Sequence, residues 1–244
     1  MPVAMKITTM LAILAVVFSQ AMIILPAKAA DPECVILLHG LARTASSMAP
    51  MADALRERGY TVVNLDYPSR KHPVEVLAPM AMEQGLSKCP GNSKVHFVTH
   101  SLGGILVRYY LAAHTLVRLG RVVMLAPPNQ GSEVVDGLGG VPGFSLLNGP
   151  AGAQLGVGEH SIPRALGAVD FDLGVIAGDR SVNLILSQYL PNPDDGKVSV
   201  ASTKVEGMRD FIQVPHSHPF IMRAPLVIEQ TVRFLETGKF AHAE

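Results

Sequence analysis

Ser101 stands in the run Val98-Thr-His-Ser-Leu-Gly-Gly104, behind an apolar, strand-like segment and ahead of an apolar, helix-like one. A serine on a sharp strand-to-helix turn is lifted off the C-terminal edge of a sheet, and the helix behind it offers N–H groups without partners. Such a hydroxyl can attack a carbonyl carbon once a base takes its proton. The turn is too tight for large side chains two residues to either side. Gly103 meets that demand, whereas Thr99 occupies the place where a G-x-S-x-G pattern has its first glycine. The bland alternative is that Ser101 is a plain helix N-cap.

A nucleophile needs partners, and the chain supplies candidates for each. His39-Gly40-Leu41 ends the first apolar run, where a loop can aim a backbone N–H at a developing oxyanion. With the N–H of Leu102, that of Leu41 would make a two-donor hole, each donor worth about 3–4 kcal/mol in the transition state. His39 itself reads as structural. Asp194-Asp195-Gly196 and Pro215-His-Ser-His-Pro219 follow later strands, so an acid and a base come after the serine in the order Ser…Asp…His. Asp179, at the end of another predicted strand, competes with Asp195 for the acid, and His216 competes with His218 for the base. His96 and His100 read as packing or supporting groups, and His72, His114, His160 and His242 show no metal-ligand spacing. Tyr109-Tyr110 reads as core and helix packing.

The elements that must position these groups are legible as alternating apolar runs and amphipathic stretches. Strands are expected at 35–38, 60–65, 94–99, 121–126, 171–177 and 211–214, and helices at 47–58, 74–86, 102–117 and 224–237. Strands rich in Val, Ile and Leu without polar alternation, separated by helices, imply a parallel sheet covered on both faces. The fold class is therefore α/β, doubly wound. Residues 128–170 interrupt the rhythm with ten glycines, with prolines at 142, 150 and 163, and with little periodicity. They read either as a surface excursion or as a lid or substrate-binding insertion.

Composition narrows the classes further. The 244 residues hold 20 Lys+Arg and 20 Asp+Glu, a balance that argues against a nucleic-acid binder or a polybasic membrane-surface protein. At 48% hydrophobic and 16% charged, the chain is far too apolar for disorder. Its first 29 residues read as a secretory leader: Lys6, the unbroken apolar run Met10–Phe18, and Ala27-Lys28-Ala29 as the cleavage signal. An uncleaved membrane anchor is the alternative, because 7–27 carries no charge and is long enough to span a bilayer. Cleavage removes two lysines and leaves 18 basic against 20 acidic residues, a net charge of −2. The chain is thus expected to be exported, to the periplasm or the medium.

Taken together, Val35–Leu41, the elbow Val98–Gly104, Pro127-Pro-Asn-Gln-Gly-Ser132, Asp195-Gly196 and His218-Pro-Phe-Ile-Met…Val-Arg-Phe-Leu235 resemble the secreted bacterial lipases and esterases of the α/β-hydrolase superfamily. The resemblance implies an α/β-hydrolase fold over residues 30–244 and cleavage of acyl or lipid esters through an acyl-enzyme. It assigns Ser101 as nucleophile, Asp195 as acid, His218 as base, and Leu41 and Leu102 as oxyanion donors. Pro219 departs from the pattern, which has Thr after the histidine. No cofactor and no metal are implied, and the expected partner is a small-molecule or lipid ester. An acyltransferase using the same triad, or a non-catalytic binding protein on the same fold, are the competing readings, since fold alone does not decide function. Cys34 and Cys89 are expected to form a disulfide, as paired cysteines in exported chains commonly do. The resemblance makes their two strands neighbours and puts the bond at the sheet edge away from the serine.

Overall fold

The structure, a computed structural model, describes residues 33–141 and 143–242. The expected leader, 1–29, lies outside the described residues. The strands are β1 (Cys34–Leu38), β2 (Thr61–Leu65), β3 (Val95–His100), β4 (Leu119–Leu125), β5 (Leu173–Gly178) and β6 (Asp210–Val214). The helices are α1 (Ala49–Glu57), α2 (Val74–Ser87), α3 (Leu102–Ala113), α4 (Glu133–Leu138), α5 (Phe144–Ala153), α6 (Ile162–Ala165), α7 (Leu184–Ser187), α8 (Val200–Thr203) and α9 (Pro225–Thr237). Short 3-10 turns at Ala45–Met48 and Ile221–Arg223 precede α1 and α9.

The six strands form one all-parallel sheet in the order β2-β1-β3-β4-β5-β6. Both its faces carry an apolar cluster, as strand sequences rich in Val, Ile and Leu require. Ile36 and Leu38 of β1 pack with Leu77 and Ala78 of α2 and Ile105 and Leu106 of α3. Val35 and Leu37 pack on the other face with Met51 and Leu55 of α1 and Phe234 and Leu235 of α9. The chain moves outward from β1 to β2, then returns to β3 on the other side of β1. That reversal opens a crevice beyond the C-terminal ends of β1 and β3, the place where open α/β sheets bind ligands. No helix among the described residues is long and apolar enough to cross a membrane.

All six expected strands and all four expected helices are present, with three shifts. The helix from Leu102 stops at Ala113 rather than Val117, because His114 turns extended (φ −137°, ψ 129°) and β4 begins at Leu119 to pair with Val95. Val117, which continues an apolar-looking pattern, is 97% exposed. Residues 128–170 are less irregular than their composition indicates, carrying α4, α5 and α6. Within α5 the chain kinks at Gly149 (φ 68°), where a Cβ would come within 2.1 Å of the Arg70 carbonyl oxygen, so only glycine fits. Third, α7 and α8 are single turns where no element is expected.

Cys34 and Cys89 are joined, with Cα atoms 5.8 Å apart. Cys34 opens β1 and Cys89 lies between α2 and β3, which is paired with β1. The bond therefore sits at the N-terminal edge of the sheet, away from Ser101.

Candidate active site

Ser101 has φ 52° and ψ −119°, a left-handed backbone that a residue with a side chain adopts only under constraint. The constraint is visible on both sides. Its N–H donates to the Leu125 carbonyl of β4 (2.9 Å), and its carbonyl accepts from Gly104 (3.0 Å). Gly103 is wedged against β1, where a Cβ would lie 2.7 Å from the Leu38 carbonyl oxygen. Space is thus demanded on the helix side of the elbow. On the strand side Thr99 is fully buried in place of the glycine, its hydroxyl without a partner among the described residues.

The sheet brings two more of the expected side chains to this serine. His218, on the loop after β6, lies with Nε2 3.1 Å from Ser101 Oγ and Nδ1 2.7 Å from Asp195 Oδ2. A carboxylate can only accept, so the proton belongs on Nδ1, and Nε2 is left to accept from the serine hydroxyl. Asp195 is fixed in turn: its Oδ1 accepts from the N–H groups of Lys197 (3.0 Å) and Val198 (2.8 Å), and its carbonyl accepts from the N–H of His218 (3.0 Å). All three side chains are buried. The competitors lie elsewhere. Asp179 accepts from Gln213 Nε2 (2.7 Å) and faces Arg180 (3.5 Å). His216 contributes its backbone to Val214 and Arg180.

Leu41 and Leu102 sit at the ends of β1 and the elbow, and among the described residues their N–H groups have no acceptor. His39 holds the first of these loops as a structural residue. It stacks on Tyr67 (4.1 Å between ring centroids), donates from Nδ1 to the Gly40 carbonyl, and accepts the Tyr67 hydroxyl on its own carbonyl. Burial lowers its basicity and keeps it neutral. His100 plays a comparable part beside the site, donating from Nε2 to the carbonyl of His218 (3.1 Å) with its ring tilted against that of His218. Desolvation first, and then the neighbouring His218, drive its pKa well below the ordinary 6.5, so it remains a neutral spacer. It fits only because residue 40 is glycine: a Cβ there would be 2.6 Å from His100 Nδ1. His96 braces the opposite edge of the sheet, accepting from the Arg121 N–H and facing Glu33.

A cavity of about 370 Å³ opens over Ser101. Its apolar walls include Leu41, Pro128, Val134, Leu155, Leu186 and Val198, several of them from residues 128–155. Arg43 and Lys197 also line it. Sequence reasoning passed over Arg108, a lone charge in the apolar helix α3, which is itself the signal that finds it. Its buried guanidinium donates to the Asn129 carbonyl and side-chain oxygen and to the Gly167 carbonyl, tying down both ends of the 128–170 segment. Desolvation brings its pKa down to about 10, still charged at neutral pH. Among the described residues no three His, Cys, Asp or Glu side chains gather as a metal site would require.

The mature lipase BlEst2 of Bacillus licheniformis superposes with a TM-score of 0.65 at 19% identity, over 86% of this chain and 95% of that one. Phospholipase PlaB from Legionella pneumophila gives 0.66 at 18% identity over 86% of this chain, which spans 60% of its length. The metagenomic carboxyl esterase MGS0156 gives 0.60 at 17%, over 84% and 75% of the two chains. At such identities the likeness is one of fold. No curated protein matches in sequence. The model of the alpha/beta hydrolase family matches residues 35–226, from the first strand through the histidine loop, and the chain belongs to that family.

Proposed function

We propose that this protein hydrolyses carboxylic esters through an acyl-enzyme on Ser101. The observation that carries the reading is the unbroken hydrogen-bond chain from Ser101 through His218 to Asp195 at the floor of an apolar cavity. In this reading the imidazole Nε2 takes the hydroxyl proton as Oγ attacks the acyl carbon, then returns it to the departing alcohol. Asp195 holds the tautomer that leaves Nε2 free and stabilises the imidazolium without being protonated itself. The N–H groups of Leu41 and Leu102 receive the oxyanion. Water, activated by the same imidazole, then releases the acid. The strained backbone at Ser101 supports the assignment, because an N-cap serine has no need of a positive φ.

Residues 128–155 would hold the acyl chain, as the apolar side chains they contribute to the cavity suggest. The disulfide fits export to an oxidising compartment, with the mature chain starting near Ala30 or Asp31. The direct test is a panel of esters of graded acyl length, offered below and above their solubility limit. Turnover with a chain-length optimum is expected. A folded protein that turns over no ester in the panel contradicts the reading.

A further inference from the structure

The acyl cavity accounts for the apolar walls but leaves two side chains without a purpose. Arg43, in the loop after β1, and Lys197, two residues beyond Asp195, both line the cavity over Ser101 with exposed side chains. Neither makes an ion pair among the described residues. Desolvation, and then the Arg43 charge, hold Lys197 below its ordinary basicity, with Asp195 pulling the opposite way. Asp195 attracts Lys197 but makes no ion pair with either cation, its oxygens being hydrogen-bonded to His218 and to the N–H groups of Lys197 and Val198.

Arg43 is also shared with a second cavity of about 680 Å³ that adjoins the first at Ala42 and Arg43. Lys71 lines that cavity and adds charge of the same sign. The carboxylate lining it is Asp66, which accepts from the Ala45 N–H and lies 3.3 Å from His39 Nε2. Like charges held together at the mouth of a cleft repel unless an anion comes between them, and they concentrate anions from solution.

We propose that the ester substrate carries an anionic group, a carboxylate, sulfonate or phosphate, bound between Arg43 and Lys197, which makes these two the specificity-determining residues of the site. This rests on the ester-hydrolase reading and sharpens it: the acyl carbonyl lies over Ser101, and the negative charge lies at the junction of the two cavities. Because the Lys197 contact to Asp195 is through its backbone, exchanging its side chain leaves that hydrogen bond in place.

The test compares kcat/KM for two matched ester pairs at low salt. One pair differs by a terminal carboxylate on the acyl chain of a p-nitrophenyl ester, the other by a sulfonate on the leaving phenol. The two arms tell an acyl-borne anion from an alcohol-borne one. In one arm the anionic member should be preferred, and the preference should fall about five- to ten-fold in R43Q/K197Q, the share of two partly exposed ion pairs. The conservative R43K should retain most of it, and added salt should erode it in the wild type. Neutral-ester turnover with no anionic preference in either arm, or a preference that the double variant keeps, overturns the anion site alone. No turnover of any ester overturns the reading beneath it as well.

Discussion

At the scale of single residues, the account depends on which of two aspartates orients the histidine. Asp195 accepts from His218 Nδ1 at 2.7 Å, while Asp179 is engaged with Gln213 and Arg180. Asp195→Asn substitutes an amide for the acceptor and allows the wrong imidazole tautomer, so ester turnover should fall by about 10³–10⁴-fold. Asp179→Asn should cost little, and steady-state kinetics on one ester measures both. Equal losses, or the reverse order, would contradict the assignment. The residues the structure draws together are ones whose types and chain order can be read without it, because the three groups come off strand ends in the order Ser, Asp, His. What no spacing reveals is the choice between His216 and His218, two residues apart on one loop, or between Asp179 and Asp195, which follow the same strand sixteen residues apart. Arg43 and Lys197 were hidden for a related reason, since their proximity depends on two loops that meet only in space.

At the scale of elements, the elbow is the feature most tightly specified. Strand β3, the turn at Ser101 and helix α3 are forced to cross β1 so closely that residue 103 has no room for a Cβ. Gly103→Ala should therefore push α3 off β1 at a cost of about 1–3 kcal/mol, the range for overpacking a well-filled interior. In a domain of this size that corresponds to roughly 2–4 °C in melting temperature per kcal/mol. Turnover should drop by more than the stability loss explains, because the displaced backbone carries Ser101 and the Leu102 N–H. Thermal melting beside kinetics separates the two effects, and an unchanged melting temperature would contradict the packing argument. The strands themselves are readable because burial on both faces makes them short runs dominated by Val, Ile and Leu. The segment 128–170 is not, since glycine-rich helices lined up against a cavity lack the apolar periodicity of core helices, and their anchor, Arg108, acts through backbone carbonyls that a sequence does not display.

At the scale of the whole molecule, the disulfide and the site occupy opposite edges of one sheet. Cys34–Cys89 closes a loop of 55 residues, which constrains the unfolded chain by about 2–4 kcal/mol without touching the end of the sheet that carries Ser101. Replacing both cysteines with alanine should lower the melting temperature by several degrees yet leave kcat within a factor of about two at a temperature where both forms are folded. A large loss of kcat in a folded variant would mean that the two edges are coupled, which the separation of the bond from Ser101 argues against.

The central claim is that Ser101 is a nucleophile made reactive by His218. Intact-protein mass spectrometry after exposure to a fluorophosphonate measures this most directly, because the reagent marks only a serine whose proton is taken by a neighbouring base. The account predicts one phosphonyl adduct per chain, located at Ser101 by peptide mapping, lost in Ser101→Ala and nearly lost in His218→Ala. An adduct that persists in Ser101→Ala, or a wild-type protein that takes up none, would contradict it.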